Sequence, residues 1–181
     1  MKKLLIILFL ITAGVLILIF GLNSKESADL DQTSDSQLKI GTKIGNIAPN
    51  FQLTDYTGKT VSLSDFKGQK GVFVNFWASW CPFCVDEMPL MARVQEKYAA
   101  QYETIAVNRG ESLETANEFS DKVGVTNKMI LLLDKKDSIY KEYGGFAMPY
   151  SLFIDKNGVI RDIKLGPLTE QELEGKVQKI L

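Results

Sequence analysis

The chain is 181 residues long, 45% hydrophobic and 24% charged, a length suited to one ordinary domain with room for an appendage. Its 21 Lys and Arg against 22 Asp and Glu leave no field of one sign to hold nucleic acid or an anionic surface. The absence of histidine removes Ser-His and Cys-His nucleophile pairs, and two cysteines are too few for a disulfide-dense scaffold or a four-cysteine metal site.

Met1, Lys2 and Lys3 precede residues 4–22, an uncharged apolar run. At about 1.5 Å per residue, a helix of this run nearly spans a hydrocarbon core of roughly 30 Å. A cleaved signal peptide has a shorter apolar region and a small-x-small exit, and residues 21–26 offer no convincing cleavage site. Residues 1–22 are therefore expected to form a retained signal anchor, one transmembrane helix. The lysine pair stays cytoplasmic under the positive-inside bias and the rest of the chain becomes extracytoplasmic. No cysteine follows the run to carry lipid. Residues 23–43, rich in Ser, Asp and Gln, have the composition of a flexible, solvated linker.

From residue 44 to residue 181 strand and helix signals alternate, as in an α/β domain with a single sheet. Residues 51–54 and 60–63 alternate apolar with polar around a turn at 55–59 and predict an amino-terminal hairpin, followed by a turn or short helix at 64–68. Residues 71–77 are a nearly continuous apolar run suited to a central strand buried on both faces. A helix is predicted over 82–100, with Pro89 expected to kink it. Then come a strand at 104–107, a helix at 113–123, a strand at 129–133 and a short helix at 137–143; this βα alternation implies parallel pairing. Strands at 151–154 and 159–163 flank a hairpin turn, and the second should be a sheet edge. Thr169 with Glu172 three residues later is a capping-box signature that opens the last helix.

Cys81-Pro82-Phe83-Cys84 follows a buried strand and opens a helix. Cys81 at the helix amino terminus meets unpaired backbone N–H groups and the positive end of the macrodipole, which favour a thiolate and make it the attacking nucleophile. Pro82 suits the first helical position, and Cys84 lies one turn on, placed to resolve a mixed disulfide. A purely structural disulfide is the bland alternative, but closing so short a loop gains little. A metal site would need the pair plus carboxylates, with Glu87 the obvious local candidate. No metal and no bound cofactor is expected.

The segment Val74-Asn75-Phe76-Trp77-Ala78-Ser79-Trp80-Cys81-Pro82-Phe83-Cys84 resembles the active-site segment of the thioredoxin superfamily. More narrowly, it resembles membrane-anchored thiol-disulfide reductases of the TlpA and ResA type. Gly45-Asn46-Ile47-Ala48-Pro49-Asn50-Phe51 is similar to the opening of that branch, Glu87-Met88-Pro89 to its helix, and Met148-Pro149 to its cis-proline position. The resemblance implies a thioredoxin-like α/β fold, a central mixed sheet flanked by helices, here with an added N-terminal β-hairpin. It places Pro149 and Met148 opposite the cysteines as substrate-binding residues, and Trp80, Pro82 and Phe83 around the cysteine pair are expected to bind substrate with them. Trp77 reads as packing. Where thioredoxins carry a buried aspartate this chain has Asn75, and Glu87, three residues after Cys84 on the same helical face, is expected to replace it as proton acceptor or as a tuner of the thiols. The neighbouring Asp86 is expected to be a solvated charge.

The implied activity is dithiol–disulfide exchange, with protein disulfides as substrates, apocytochrome c among them in cytochrome c maturation. A membrane thiol transporter of the CcdA or DsbD type is the implied electron donor. About 65 residues separate Cys84 from Pro149, too few for the helical insertion of a DsbA-type oxidase, which favours reduction over oxidation. A proline after the first cysteine also occurs in oxidising members, so a thiol oxidase of exported proteins is the alternative. A copper-delivery module similar to the Sco family would want a longer cysteine spacing and a histidine. A peroxiredoxin would want a lone cysteine in a threonine-containing loop, which Ser79-Trp80 does not supply.

Overall fold

The computed structural model describes residues 38–181. The expected anchor at 1–22 and the linker up to residue 37 lie outside them, and among the described residues no helix is long and apolar enough to cross a membrane. The described part of the linker is paired with the domain. Gly41 N–H donates to Ile47 O (2.9 Å) and Ile47 N–H to Lys39 O (2.9 Å), and the compact unit runs Leu38–Leu181.

The elements follow in the expected order. Strands β1 (Gln52–Asp55) and β2 (Thr60–Ser62) form the hairpin, and a 3-10 turn, Leu63–Phe66, follows. Next come β3 (Gly71–Trp77), α1 (Pro82–Tyr98), β4 (Tyr102–Arg109), α2 (Leu113–Lys122), β5 (Ile130–Asp134) and the short α3 (Ser138–Glu142). Strands β6 (Tyr150–Ile154) and β7 (Ile160–Leu165) lead to α4 (Glu170–Val177). Helix α1 continues through Pro89. Helix α4 opens on the predicted capping box, in which Thr169 Oγ1 accepts from Glu172 N–H and the Glu172 carboxylate accepts from Thr169 N–H (2.9 Å).

One mixed sheet has the order β2-β1-β5-β4-β3-β6-β7. The pairs β3–β4 and β4–β5 are parallel, as βα alternation requires, and the remaining pairs are antiparallel. The expected edge strand is β7. All seven residues of β3 are buried, because helices or loops cover both faces. Its period of two sends Phe73 and Trp77 into the core shared with α1 and α4, where Met88, Met91, Leu173 and Val177 lie. Val72, Val74 and Phe76 enter the opposite core with Phe51, Leu63, Tyr140 and Tyr143. Asn75 therefore projects to the α1 side, a single amide in an apolar stripe.

At the start of β3, position 71 is suited to glycine because the backbone carbonyl of Ile180 packs against it where a side chain would start. Gly71→Ala is expected to push the carboxyl-terminal turn off the sheet at a cost of about 1–3 kcal/mol. Urea unfolding checks this; an alanine variant as stable as the parent would mean that the Ile180 segment yields without loss.

Candidate active site

Strand β3 delivers the chain to the cysteines, and three residues, Ala78, Ser79 and Trp80, turn it into α1. Cys81 is the N-cap with extended backbone (φ −90°, ψ 107°), and Pro82 occupies the start of the helix. Cys81 N–H donates to Ala78 O (3.1 Å) and Cys84 N–H to Cys81 O (3.1 Å), so the turn and the first helical turn share one hydrogen-bonded frame. Cys81 and Cys84 are joined in a disulfide with their Cα atoms 5.4 Å apart. They are only 4% and 1% exposed, so a partner sulfur must come down to the protein surface to meet them. Around them Trp80, 64% exposed, with Pro82 and Phe83, forms a solvent-facing rim.

Met148-Pro149 is a cis peptide bond. Phe76 pairs with Tyr150 in the β3–β6 register, so the preceding Pro149 lies toward the end of β3 from which the cysteines emerge. The half-buried Met148 packs against the core cluster that contains Cys81 and Cys84. The register thus puts the Met148-Pro149 bond at the end of the sheet from which the chain leaves β3 for Cys81. Trp77 is fully buried against Phe119 (5.2 Å between ring centroids), and Asp86 is exposed, both as expected.

Glu87 is buried, at 1% exposure, beneath the helix turn that carries the disulfide. Its Oε1 accepts from Leu168 N–H at 3.2 Å, and its Oε2 lies 3.4 Å from Asn75 Nδ2, which also donates to Ser151 Oγ at 3.0 Å. Loss of water pushes the carboxyl pKa up to about 7; the Leu168 and Asn75 hydrogen bonds and the charge of Lys164 oppose the shift without cancelling it. The group is thus half-ionised near neutral pH, where it can take or give a proton one turn from Cys84. Among the described residues no cluster of His, Cys, Asp and Glu has the makings of a metal site.

One carboxylate carried no motif that reading the sequence could catch. Glu111, in the loop after β4, accepts from Ser79 N–H (2.9 Å), Ser79 O–H (2.5 Å) and Asn108 Nδ2 (2.6 Å). Two of these donors belong to the turn just before Cys81. The only local hint is Gly110, whose positive φ (+73°) turns the chain there.

A disulfide-forming Cys-x-x-Cys at a helix amino terminus, with a cis-proline bond at the same end of a mixed sheet, defines a thioredoxin-like thiol-disulfide exchange protein. Residues 44–163 match the model of the AhpC/TSA family. The chain belongs to that family and, within it, to the ResA-type thiol-disulfide oxidoreductases. It is 42% identical over 140 residues to thiol-disulfide oxidoreductase ResA of Bacillus cereus, covering 76% of this chain and 79% of the relative. It is 37% identical over 145 residues to the thioredoxin-like protein YneN of Bacillus subtilis, covering 78% and 83%. Among solved structures, a candidate thiol:disulfide interchange protein DsbE from Chlorobium tepidum superposes with a TM-score of 0.70 at 33% identity, over 76% of this chain and 97% of that one. StoA from Bacillus subtilis does so with a TM-score of 0.61 at 26% identity, over 71% and 96%. The chain is therefore a protein-disulfide oxidoreductase.

Glu87 also sets a pH dependence of stability. Its native pKa lies above its unfolded value of 4.5, so between about pH 4.5 and 7 the native state binds more protons than the unfolded state, and stability falls as pH rises. Glu87→Gln removes that loss. The variant should gain on the parent across this window, by up to roughly 3 kcal/mol on the plateau above it. Urea unfolding of the oxidised protein from pH 4 to 8 measures the gap; parallel curves for the two proteins would place the Glu87 pKa at its ordinary value.

Proposed function

We propose that this chain is a membrane-anchored, extracytoplasmic reductase of protein disulfides. The observation that carries the mechanism is the Glu87 carboxyl, buried one turn from Cys84 with Leu168 N–H and the Asn75 amide as its partners, where loss of water raises its proton affinity. Cys81 thiolate attacks one sulfur of a substrate disulfide, forms a mixed disulfide and releases the first substrate thiolate. Glu87 takes the Cys84 proton, and the Cys84 thiolate attacks the Cys81 sulfur, releases the second substrate thiolate and closes the Cys81–Cys84 bond. Two electrons pass from the dithiol to the substrate. A membrane thiol donor of the CcdA or DsbD type returns them. Apocytochrome c, whose haem-attachment cysteines must be reduced, is the proposed substrate; Trp80, Pro82, Phe83, Met148 and Pro149 form the surface that receives it.

The naming of the curated relatives as ResA supports the thiol chemistry, and the uncharged run at residues 4–22 behind Lys2 and Lys3 supports the anchor and its orientation. The position of Cys81 at the amino terminus of α1 supports its role as the attacking thiol.

The reduction potential of the Cys81–Cys84 pair, by equilibration in thiol buffers with Trp fluorescence as readout, tests the direction. A value near −270 mV, about that of thioredoxin, supports a reductase; one near −120 mV, about that of the oxidant DsbA, makes the protein an oxidase of exported chains. Cys84→Ser should accumulate a mixed disulfide through Cys81 when mixed with a disulfide substrate, visible as a covalent adduct by mass spectrometry. Adduct formation through Cys84 in Cys81→Ser, with none in Cys84→Ser, would reverse the assignment of the two thiols.

A further inference from the structure

The turn that presents Cys81 is held from outside its own chain segment. Ala78, Ser79 and Trp80 connect β3 to α1, and the middle residue gives both its backbone N–H and its hydroxyl to Glu111. Both carboxylate oxygens are used, since Oε2 also accepts from Asn108 Nδ2, and Asn108 pairs with Trp77 at the end of β3. The loop that carries Glu111 is itself clamped. Arg109 makes two 2.8 Å bonds to Asp137 and lies 3.6 Å over the Tyr140 ring, and Gly110 N–H donates to Asp134 O at 2.9 Å. A rigid platform on β4 and β5 therefore reaches across to one peptide, two residues from the disulfide. Nothing in the exchange reaction as proposed uses it.

We propose that Glu111 is a positioning residue for Cys81. It acts through Ser79, fixing the turn that places Cys81 at the N-cap of α1. Stabilisation of a thiolate by a helix amino terminus falls off within that turn, so displacement of the sulfur is felt directly in its proton affinity. The inference rests on the reading of Cys81 as the activated thiol.

Charge and position make opposite predictions. A nearby carboxylate acting only through its charge disfavours the thiolate, so its removal lowers the Cys81 pKa. A carboxylate acting as a latch favours the thiolate, so its removal raises the pKa. In the full chain carrying Cys84→Ser, the Cys81 pKa and reactivity follow from the pH dependence of iodoacetamide alkylation. Glu111→Ala is expected to raise the pKa by about one unit and to slow alkylation at pH 7 by up to about tenfold. Ser79→Ala, which leaves the charge and cuts only the hydroxyl bond, should move both in the same direction by less. The double variant should be no worse than Glu111→Ala alone, because the two residues act through one contact. Glu111→Gln, which retains an acceptor, should restore part of the effect.

Three results would overturn the proposal. One is a lowered pKa in both Glu111 variants with Ser79→Ala silent, which leaves charge alone. Another is a lowered Tm in the variants with an unmoved Cys81 titration, which leaves a structural brace. The third, a Cys81 pKa in the parent no lower than an ordinary thiol near 8.5, removes the activated thiol and with it the reading on which the inference rests.

Discussion

Strand β3 is the constraint on which the site depends. It is paired in parallel with β4 over its whole length and antiparallel with β6, and is buried on both faces, so its register is fixed from two sides. A slip by one residue would exchange Phe73 and Trp77 for Val72, Val74 and Phe76 between the two cores and turn Asn75 away from α1. With the register held, the end of the strand is a fixed point in space. The turn to Cys81, the approach of the Met148-Pro149 loop and the meeting of Asn75 with Glu87 all follow from it.

Two carboxylates near that point live in contrasting surroundings. Glu87 is shut away from water with one backbone donor and a long contact to an amide, so its charge is poorly compensated and its proton is held to near neutrality. Glu111 is only half-buried and receives three short hydrogen bonds, two from Ser79 and one from Asn108. The first is suited to moving a proton and the second to holding a backbone. Residue type alone does not divide these roles; solvation and donor count do.

Local chemistry made much of the fold legible. Residues 71–77 could be bounded as a strand because an unbroken apolar run had to be buried on both faces, and Thr169 with Glu172 marked the last helix by a cap that is itself local. The hairpin turns at 55–59 and 155–158 were likewise legible, since Asp55 and Asp155 accept the backbone N–H groups of their own turns. The attachment of the hairpin was not. That β1 joins β5, with Thr54 opposite Leu133, depends on which sheet edge was free, and no window of sequence holds that information. The cis bond before Pro149 was legible only through family resemblance, and the burial of Glu87 required knowing that Asn75 and Leu168 close over it. Glu111 was invisible because Ser79 lies 32 residues away and its own neighbourhood reads as a loop. The pairing of Lys39 and Gly41 with Ile47 escaped because the polar composition before them reads as tether.

That last pairing bears on the margin of the sheet. Gly45 N–H donates to Ile160 O (2.8 Å) and Ile160 N–H to Asn46 O (2.9 Å), so the chain entering the domain lies along the outer side of β7 and takes up hydrogen-bonding groups that an edge strand would leave open. Further along β7, Asp162 is engaged by Lys176 and Lys179 of the carboxyl-terminal segment, and Lys164 by Glu172. At the other margin β2 is three residues long. An open sheet edge would recruit unpaired strands of other chains. The incoming segment covers the start of one border and the other is kept short, so little open backbone is left on which a foreign strand could extend the sheet.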